Sequence, residues 1–456
     1  AKDAFRRLIE PSIEREVRSD LTKTAQEKAI VVFKKNLEQL LLQPPVAGRT
    51  VMGWDPAFRT GCKIAVVDET GKVLDTTVIY PTPPHNRTDE ARKIIGNMVR
   101  KYGVSLIALG NGTASRESEQ VIVSIIKDLG AEKITLRYVI VNEAGASVYS
   151  ASELADKEFP EFDVGLRSAA SMARRLQDPL AELVKIDPAA LGVGQYQHDM
   201  NEKRLSEALG GVVEDCVNRV GADLNTASFA LLSYVSGITP AVAARIVEER
   251  EKNGPFRNRR QLLKVSGLGP RTFEQCAGFL RIRDGEEVLD ATAVHPEDYK
   301  AVHKMLEELS LGDTETDIRK ASGMVRKQDI PAMAKRLGIG EITLSDILSE
   351  LEKPGRDIRE ELEAPLLKSD VLTMEDLVPG MRLKGTVRNI VDFGAFVDIG
   401  VHQDGLVHIS QLADRFVRDP MQVVKVGDIV EVTVLSCDPA KKRISLSMKT
   451  PVAHQP

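Results

Sequence analysis

The stretch Gln261-Leu-Leu-Lys-Val-Ser-Gly-Leu-Gly-Pro-Arg-Thr-Phe-Glu-Gln-Cys-Ala277 reads as a helix, a tight turn at Gly267-Leu-Gly269, and a second helix opening at Pro270. Two glycines around one apolar residue let the turn close with no Cβ in the way. The turn amides and the free N–H groups of the new helix then point outward together. They form a nest for a phosphate oxygen, and the helix dipole favours the anion. Such a nest grips a sugar-phosphate strand without reading its bases.

Thirty positions upstream lies Leu232-Ser-Tyr-Val-Ser-Gly237-Ile-Thr239-Pro240, followed by Ala243 and Ala244. The spacing Val-Ser-Gly-apolar-x-Pro recurs, so this is an internal repeat. Thr239 stands where the second glycine belongs. A β-branched residue disfavours the left-handed conformation, so the upstream turn is expected to be a structural partner rather than a phosphate clamp. Between the copies, Asn253-Gly-Pro-Phe-Arg257-Asn-Arg259-Arg260 sets three arginines beside a turn. Each Gly-x-Gly alone reads equally well as a helix end. The doubling and the arginines favour phosphate contact, with Arg257, Arg259, Arg260, Lys264, Gly267, Gly269 and Arg271 as the expected site. The pattern resembles a tandem helix-hairpin-helix.

A chain of 456 residues suggests about three or four domains. With a net charge of −5 it is no uniformly basic nucleic-acid coat, so binding of that kind must be local. Cys62, Cys216, Cys276 and Cys437 are isolated, with no C-x-x-C pair. They read as reduced thiols of a cytoplasmic protein, not a disulfide frame or zinc site. No apolar run approaches the length of a membrane span, so no membrane partner is expected. The chain opens Ala-Lys-Asp-Ala-Phe, with neither initiator Met nor signal peptide, and reads as a piece starting inside a longer protein.

The pattern along the chain predicts a multidomain α/β plus α plus β architecture. Residues 1–48 form a helical leader, read as a core-facing helix pair because Ile9, Ile13, Val17 and Leu21 recur every four residues. Residues 49–190 run as three antiparallel strands and then alternating helices and parallel strands, the order of an RNase H-like α/β layer. The hairpin block covers 195–283, and a helical spacer covers 284–370. Five short strands within 371–456 suggest an OB-type barrel.

The barrel carries Asp392-Phe-Gly-Ala-Phe-Val397, Gly405-Leu-Val-His-Ile-Ser410 and Arg443-Ile-Ser-Leu-Ser447. These phrases closely resemble the S1 RNA-binding domain. The resemblance implies that Phe393, Phe396 and His408 offer stacking faces to unpaired bases, with Asp438 and Arg443 flanking them. Stacking contributes about 1–3 kcal/mol per base with little sequence preference. Residues 378–449 hold ten Lys or Arg against eight Asp or Glu, so binding should be weak and strongly reduced by salt. Phe393 and Phe396, three apart across Gly394, suggest a bend at the rim rather than two core positions.

Asp55 ends the first strand of the α/β layer, where nucleases of this fold place a metal ligand. Two-Mg²⁺ chemistry needs three or four carboxylates around ions about 4 Å apart. Glu143 supplies a second acid after strand 136–141. Asn111 and the Arg167-Ser168-Ala169 stretch stand where the others belong. Asp55 and Glu143 leave room for at most one weakly held Mg²⁺. The layer therefore reads as a nuclease scaffold without its chemistry, with no confident catalytic residue or cofactor, and with Asp55 held by amides of loop 58–61.

Further phrases agree with one family: Asp55-Pro-Ala-Phe-Arg-Thr-Gly61, Ala173-Arg-Arg-Leu-Gln-Asp-Pro-Leu180, Val294-His-Pro-Glu297 and Lys353-Pro-Gly-Arg-Asp357. In this order of domains the chain resembles the C-terminal portion of the bacterial Tex family of transcription accessory proteins, which carry a YqgF-type domain related to the RuvC resolvase fold. The resemblance implies a non-catalytic factor that binds single-stranded RNA or DNA near RNA polymerase. A Mg²⁺-dependent, structure-selective nuclease using Asp55 and Glu143 is one alternative. A scaffold docking RNA polymerase or the ribosome through the helical spacer is another.

Overall fold

Strand-forming residues from Val51 onward build a five-stranded sheet. Its strands are β1 (Val51–Asp55), β2 (Cys62–Val67), β3 (Val73–Ile79), β4 (Leu106–Gly110) and β5 (Arg137–Val141), in the order β3-β2-β1-β4-β5. The first three pair antiparallel, and β4 and β5 join in parallel. This is the expected RNase H-like layer. The computed structural model describes residues 2–194, 196–283, 285–327, 329–355, 357–361, 377–401, 403–425, 427–438 and 443–449. The junction between the expected spacer and barrel domains, near residue 370, lies outside the described residues.

The leader differs from the expected helix pair. It is one helix, α1 (Glu10–Leu41), preceded by a π-helical turn at Phe5–Ile9. Ile30, Phe33, Leu37 and Leu41 are buried, whereas Ile9, Ile13, Val17 and Leu21 are exposed. At about 100° per residue, a four-residue repeat precesses by about 40° per step and holds no single face. Only the C-terminal part of α1 reaches the body.

Helices α2 (Thr88–Tyr102) and α3 (Ser115–Ala131) cover one face of the sheet, and α4 (Val164–Gln177) covers the other. A short helix α5 (Pro179–Leu183) follows, capped by the Asp178 side chain. Next come α6 (Glu202–Val220), α7 (Phe229–Leu232), α8 (Pro240–Asn253), a 3-10 turn at Arg259–Lys264 and α9 (Pro270–Cys276). Two short parallel strands, β6 (Ala222–Asp223) and β7 (Leu280–Arg281), close this block. Its core, with Leu232, Val235, Ile238, Leu262, Val265 and Leu268, is continuous with the buried residues of α1.

The region expected to be a spacer has a core of its own. It contains α10 (Tyr299–Glu308), α11 (Glu315–Val325), α12 (Ile330–Leu337) and α13 (Glu341–Glu352). The segment after α13 returns to the α/β layer. There the buried Arg359 pairs with Asp357 at 2.7 Å and with Asp178 at 2.6 Å. Both acids lie within hydrogen-bonding distance, which holds the Asp357 carboxyl below the usual range and raises Arg359.

Beyond residue 376, β8 (Arg382–Val391), β9 (Gly394–Asp398), β10 (Gly405–His408), β11 (Ile429–Asp438) and β12 (Arg443–Ser447) close into a barrel. β10 and β12 run parallel and the other pairs antiparallel, as in an OB fold. Inward-facing Val387, Ala395, Val397, Val407, Val432, Val434, Ile444 and Leu446 alternate with outward positions and fill the interior.

Candidate nucleic-acid interface

On the barrel, Phe393 is 51% exposed, Phe396 is half-buried and His408 is exposed. The two phenylalanine rings meet edge to face, with centroids 6.4 Å apart. Gly394 makes this corner: a Cβ there would lie 2.2 Å from the Val407 carbonyl oxygen, so only glycine lets β9 press against β10 at His408. The Ile409 N–H donates to the Phe393 carbonyl at 2.8 Å, which fixes the ring's base. Nδ1 of His408 accepts the Ser410 N–H at 3.3 Å and lies 2.9 Å from the Ser410 hydroxyl, so both contacts fall on the same ring nitrogen.

The bend expected at Gly394 comes with a bulge across the sheet, where β8 shifts register between Val387 and Asn389. The register aligns Asn389, Phe396, Leu406, Ser445 and Ser436 in one row across all five strands. Sequence reading missed this row, because cross-strand partners are set by pairing rather than by any local pattern. Asp438 and Arg443 face each other on β11 and β12, half-buried and exposed respectively. Arg443 lies two residues before the Leu406–Ser445 pair and His408 two residues after it. At about 3.3 Å per residue they stand roughly 13 Å apart along the ribbon. Phe393, Phe396 and His408 therefore form one cluster, with Asp438 and Arg443 at the other end of the face.

The two hairpins have the same backbone. Gly237 and Gly267 have φ of 82° and 83°, and Thr239 and Gly269 have φ of −82° and −85°. The left-handed position is thus the first glycine, not the second, and the expectation that Thr239 disturbs the turn through its φ was incorrect. The repeats also contact each other reciprocally. A Cβ on Gly237 would meet Gln275, and one on Gly267 would meet Arg245, thirty positions away in the equivalent place. Such an exchange of i and j contacts is the mark of an approximate two-fold axis.

What differs is the fate of the amides. Upstream, Val242 N–H is capped by the Thr239 hydroxyl and Ser236 N–H donates to Asn218 Oδ1 at 3.0 Å. Downstream, no side chain caps α9. Among the described residues, the amides of Ser266, Arg271 and Thr272 have no acceptor. Arg245, whose guanidinium donates to the Ser266 carbonyl at 2.9 Å, adds a cation that sequence reading had not placed here. Arg257, Arg260, Lys264, Gly267, Gly269 and Arg271 are all exposed.

Arg259 is a correction. It is 1% exposed and turned inward. Its guanidinium donates to the carbonyls of Leu280, Val294 and Thr292 and to the Tyr299 hydroxyl, beside Asp290. Residues 288–299 pack over the downstream repeat, and a guanidinium with five donors can satisfy their converging carbonyls. Arg259 joins the hairpin block to the helical region and reaches no ligand.

That helical region hides a further hairpin. Gly338 (φ 75°), Ile339 and Gly340 (φ −71°) join α12 to α13 with nearly the same angles as the other two. The signal was a Gly-apolar-Gly before a helix, which the sequence reading had placed inside a helical spacer. Glu341 in the first turn of α13 puts a carboxylate where a phosphate would otherwise sit.

In the α/β layer, Asp55 and Glu143 do converge. Burial raises both carboxyls, and for Glu143 the neighbouring Asp55 charge adds to it. Asp55 is held by the Ser168 hydroxyl and the Lys63 charge, not by the amides of loop 58–61 as expected. Glu143 lies over Gly112, accepts its N–H and faces the buried Arg175. Asn111, at the position of a missing acid, accepts the Glu143 N–H at 3.0 Å. Among the described residues no three His, Cys, Asp or Glu side chains gather as metal ligands. Two carboxylates facing a hydroxyl, an ammonium and a guanidinium are a donor set ill-suited to a pair of divalent cations.

No helix among the described residues is long and apolar enough to cross a membrane. Comparison with known sequences matches residues 49–177 to the Tex protein YqgF-like domain and residues 217–281 to the helix-hairpin-helix motif. Residues 287–359 match an HHH domain and residues 377–449 the S1 RNA binding domain. The uncharacterized protein YdcI of Bacillus subtilis is 56% identical over 98% of this chain and 62% of its own. The transcriptional accessory protein Tex of Neisseria gonorrhoeae is 51% identical over 96% of this chain and 57% of its own. The S1 RNA-binding domain-containing protein 1 of Homo sapiens is 38% identical over 98% and 50%. Among solved structures, GSP13 of Bacillus subtilis is 36% identical over 18% of this chain and 65% of its own, with a TM-score of 0.16. The chain thus spans about half to three-fifths of the length of these curated relatives. With the YqgF-like layer, the hairpins and the S1 barrel in one order, and identity above 50% to Tex itself along nearly every residue, the chain belongs to the Tex family.

Proposed function

We propose that this chain is a non-catalytic, cytoplasmic transcription accessory module that holds single-stranded RNA or DNA. The observation that carries the reading is the exposed cluster of Phe393, Phe396 and His408, anchored by Gly394 on a rigid barrel. Rings held open to solvent offer stacking faces, and a backbone fixed on both sides spares the entropy of ordering them. The downstream hairpin supports a second contact, to backbone phosphate, through its open amides and the exposed Arg245, Arg257, Arg260, Lys264 and Arg271. The name of the Neisseria relative points to transcription, and RNA polymerase or the ribosome is the protein partner proposed with this reading.

The test is fluorescence anisotropy with labelled single-stranded, duplex and branched RNA and DNA over a salt series. Phe393→Ala with Phe396→Ala should weaken single-strand binding by about 30-fold or more, from about 1–3 kcal/mol per stacked base. Unchanged affinity would remove the barrel from the reading.

The convergence of Asp55 and Glu143 favours one second reading, a Mg²⁺-dependent nuclease. Cleavage of branched substrates that is lost in Asp55→Asn would establish it. Their cationic and hydroxyl neighbours support the non-catalytic reading instead.

A further inference from the structure

Phe416 is 92% exposed, the most exposed large apolar side chain among the described residues. It belongs to neither the hairpins nor the Phe393–His408 cluster. Its position is nonetheless well defined. Leu412 and Val417 on either side are buried in the barrel core, and Pro420 opens a 3-10 turn capped by Asp419. The ring is therefore carried on a segment pinned at both ends, facing water. Arg415 and Arg418 flank it, both exposed, and among the described residues neither is paired with an acid. Asp419 is engaged as the cap, through the Met421 N–H at 3.0 Å.

We propose that Phe416, with Arg415 and Arg418, is an additional nucleotide-binding site that stacks a base of the same single strand held by Phe393, Phe396 and His408. The inference rests on the barrel binding single strands. A bare aromatic face between two unpaired guanidiniums matches the alternation of base and phosphate along an unpaired strand. A protein partner would have to bring acidic groups to both arginines and an apolar pocket between them. Reach is sufficient. Phe416 is eight residues past His408, at most about 29 Å away. At about 3.4 Å per stacked nucleotide this is roughly nine nucleotides, inside the range of about 4–16 that an OB fold engages.

The experiment uses the full chain and fluorescein-labelled oligouridylates of four and sixteen nucleotides. Phe416→Ala should lower affinity for the 16-mer by about 5- to 150-fold while leaving the 4-mer, held at Phe393 and Phe396, unchanged. Arg415→Gln with Arg418→Gln should reduce the salt slope by about 1.4, from about 0.7 per phosphate contact. Phe416→Trp should keep affinity and gain fluorescence quenched by the oligonucleotide, read against the buried Trp54. If Phe416→Ala binds the 16-mer like the parent while Phe393→Ala with Phe396→Ala does not, the Phe416 site is wrong and the barrel reading stands. If neither variant weakens binding, both fall.

Discussion

The hairpins at Gly237-Ile238-Thr239 and Gly267-Leu268-Gly269 trace one backbone path and meet across an approximate two-fold axis, yet they present different chemistry to solvent. In the first, Thr239 and Asn218 have taken up two amides, those of Val242 and Ser236, whose equivalents the second leaves open. Thirty positions also separate Phe229, partly exposed, from Arg259, fully enclosed, because residues 288–299 cover only the downstream repeat. Shape and binding capacity are thus independent properties of the turn. A repeat can preserve its fold while one copy turns into support and the other stays available.

The comparison breaks most forcefully at its enclosed arginine. Arg259→Met should cost about 3–5 kcal/mol in denaturant unfolding, since three carbonyls lose their donor and Asp290 its neighbouring cation in a dry site. Phe229→Ala at the equivalent place should cost about 1 kcal/mol or less. A similar loss in both would mean that residues 288–299 do not distinguish the repeats.

A hydroxyl swap sharpens the comparison next. Gly269 has ordinary φ and no atom within 4 Å of a built Cβ, so Gly269→Thr should fold normally and gain a few tenths of a kcal/mol from its new cap. It should also weaken nucleic-acid binding about tenfold by occupying an amide that a phosphate would use. Thr239→Gly should shift both quantities the other way in anisotropy and melting measurements. The smallest effect belongs to Arg260→Ala. Its stability should stay within about 0.5 kcal/mol, while the salt slope for duplex or branched DNA drops by about 1.

Local chemistry was readable from the sequence where one residue type answers one geometric demand. Gly267, Gly394 and the alternation of the barrel strands announced themselves in that way. The barrel aromatics followed, since Phe393 and Phe396 flank a glycine that no core strand needs. Arg259 was not legible: three arginines within four residues look alike, and only the later packing of Val294 and Tyr299 selects one for burial. The precession of Ile9 through Leu21 around α1 imitated a core stripe because spacing by four approximates the helical period without matching it. Lys63, Ser168 and Arg175 come to the acids from separate elements, a convergence that tertiary structure alone creates.

The Arg359–Asp178 ion pair links positions 181 apart along the chain, its guanidinium buried and its carboxylate partly open to solvent. Asp178 simultaneously starts α5, so one carboxylate serves the α/β layer and the far end of the helical region together. Such a shared group couples the stability of the two regions, so that loosening either one weakens the hold on the other.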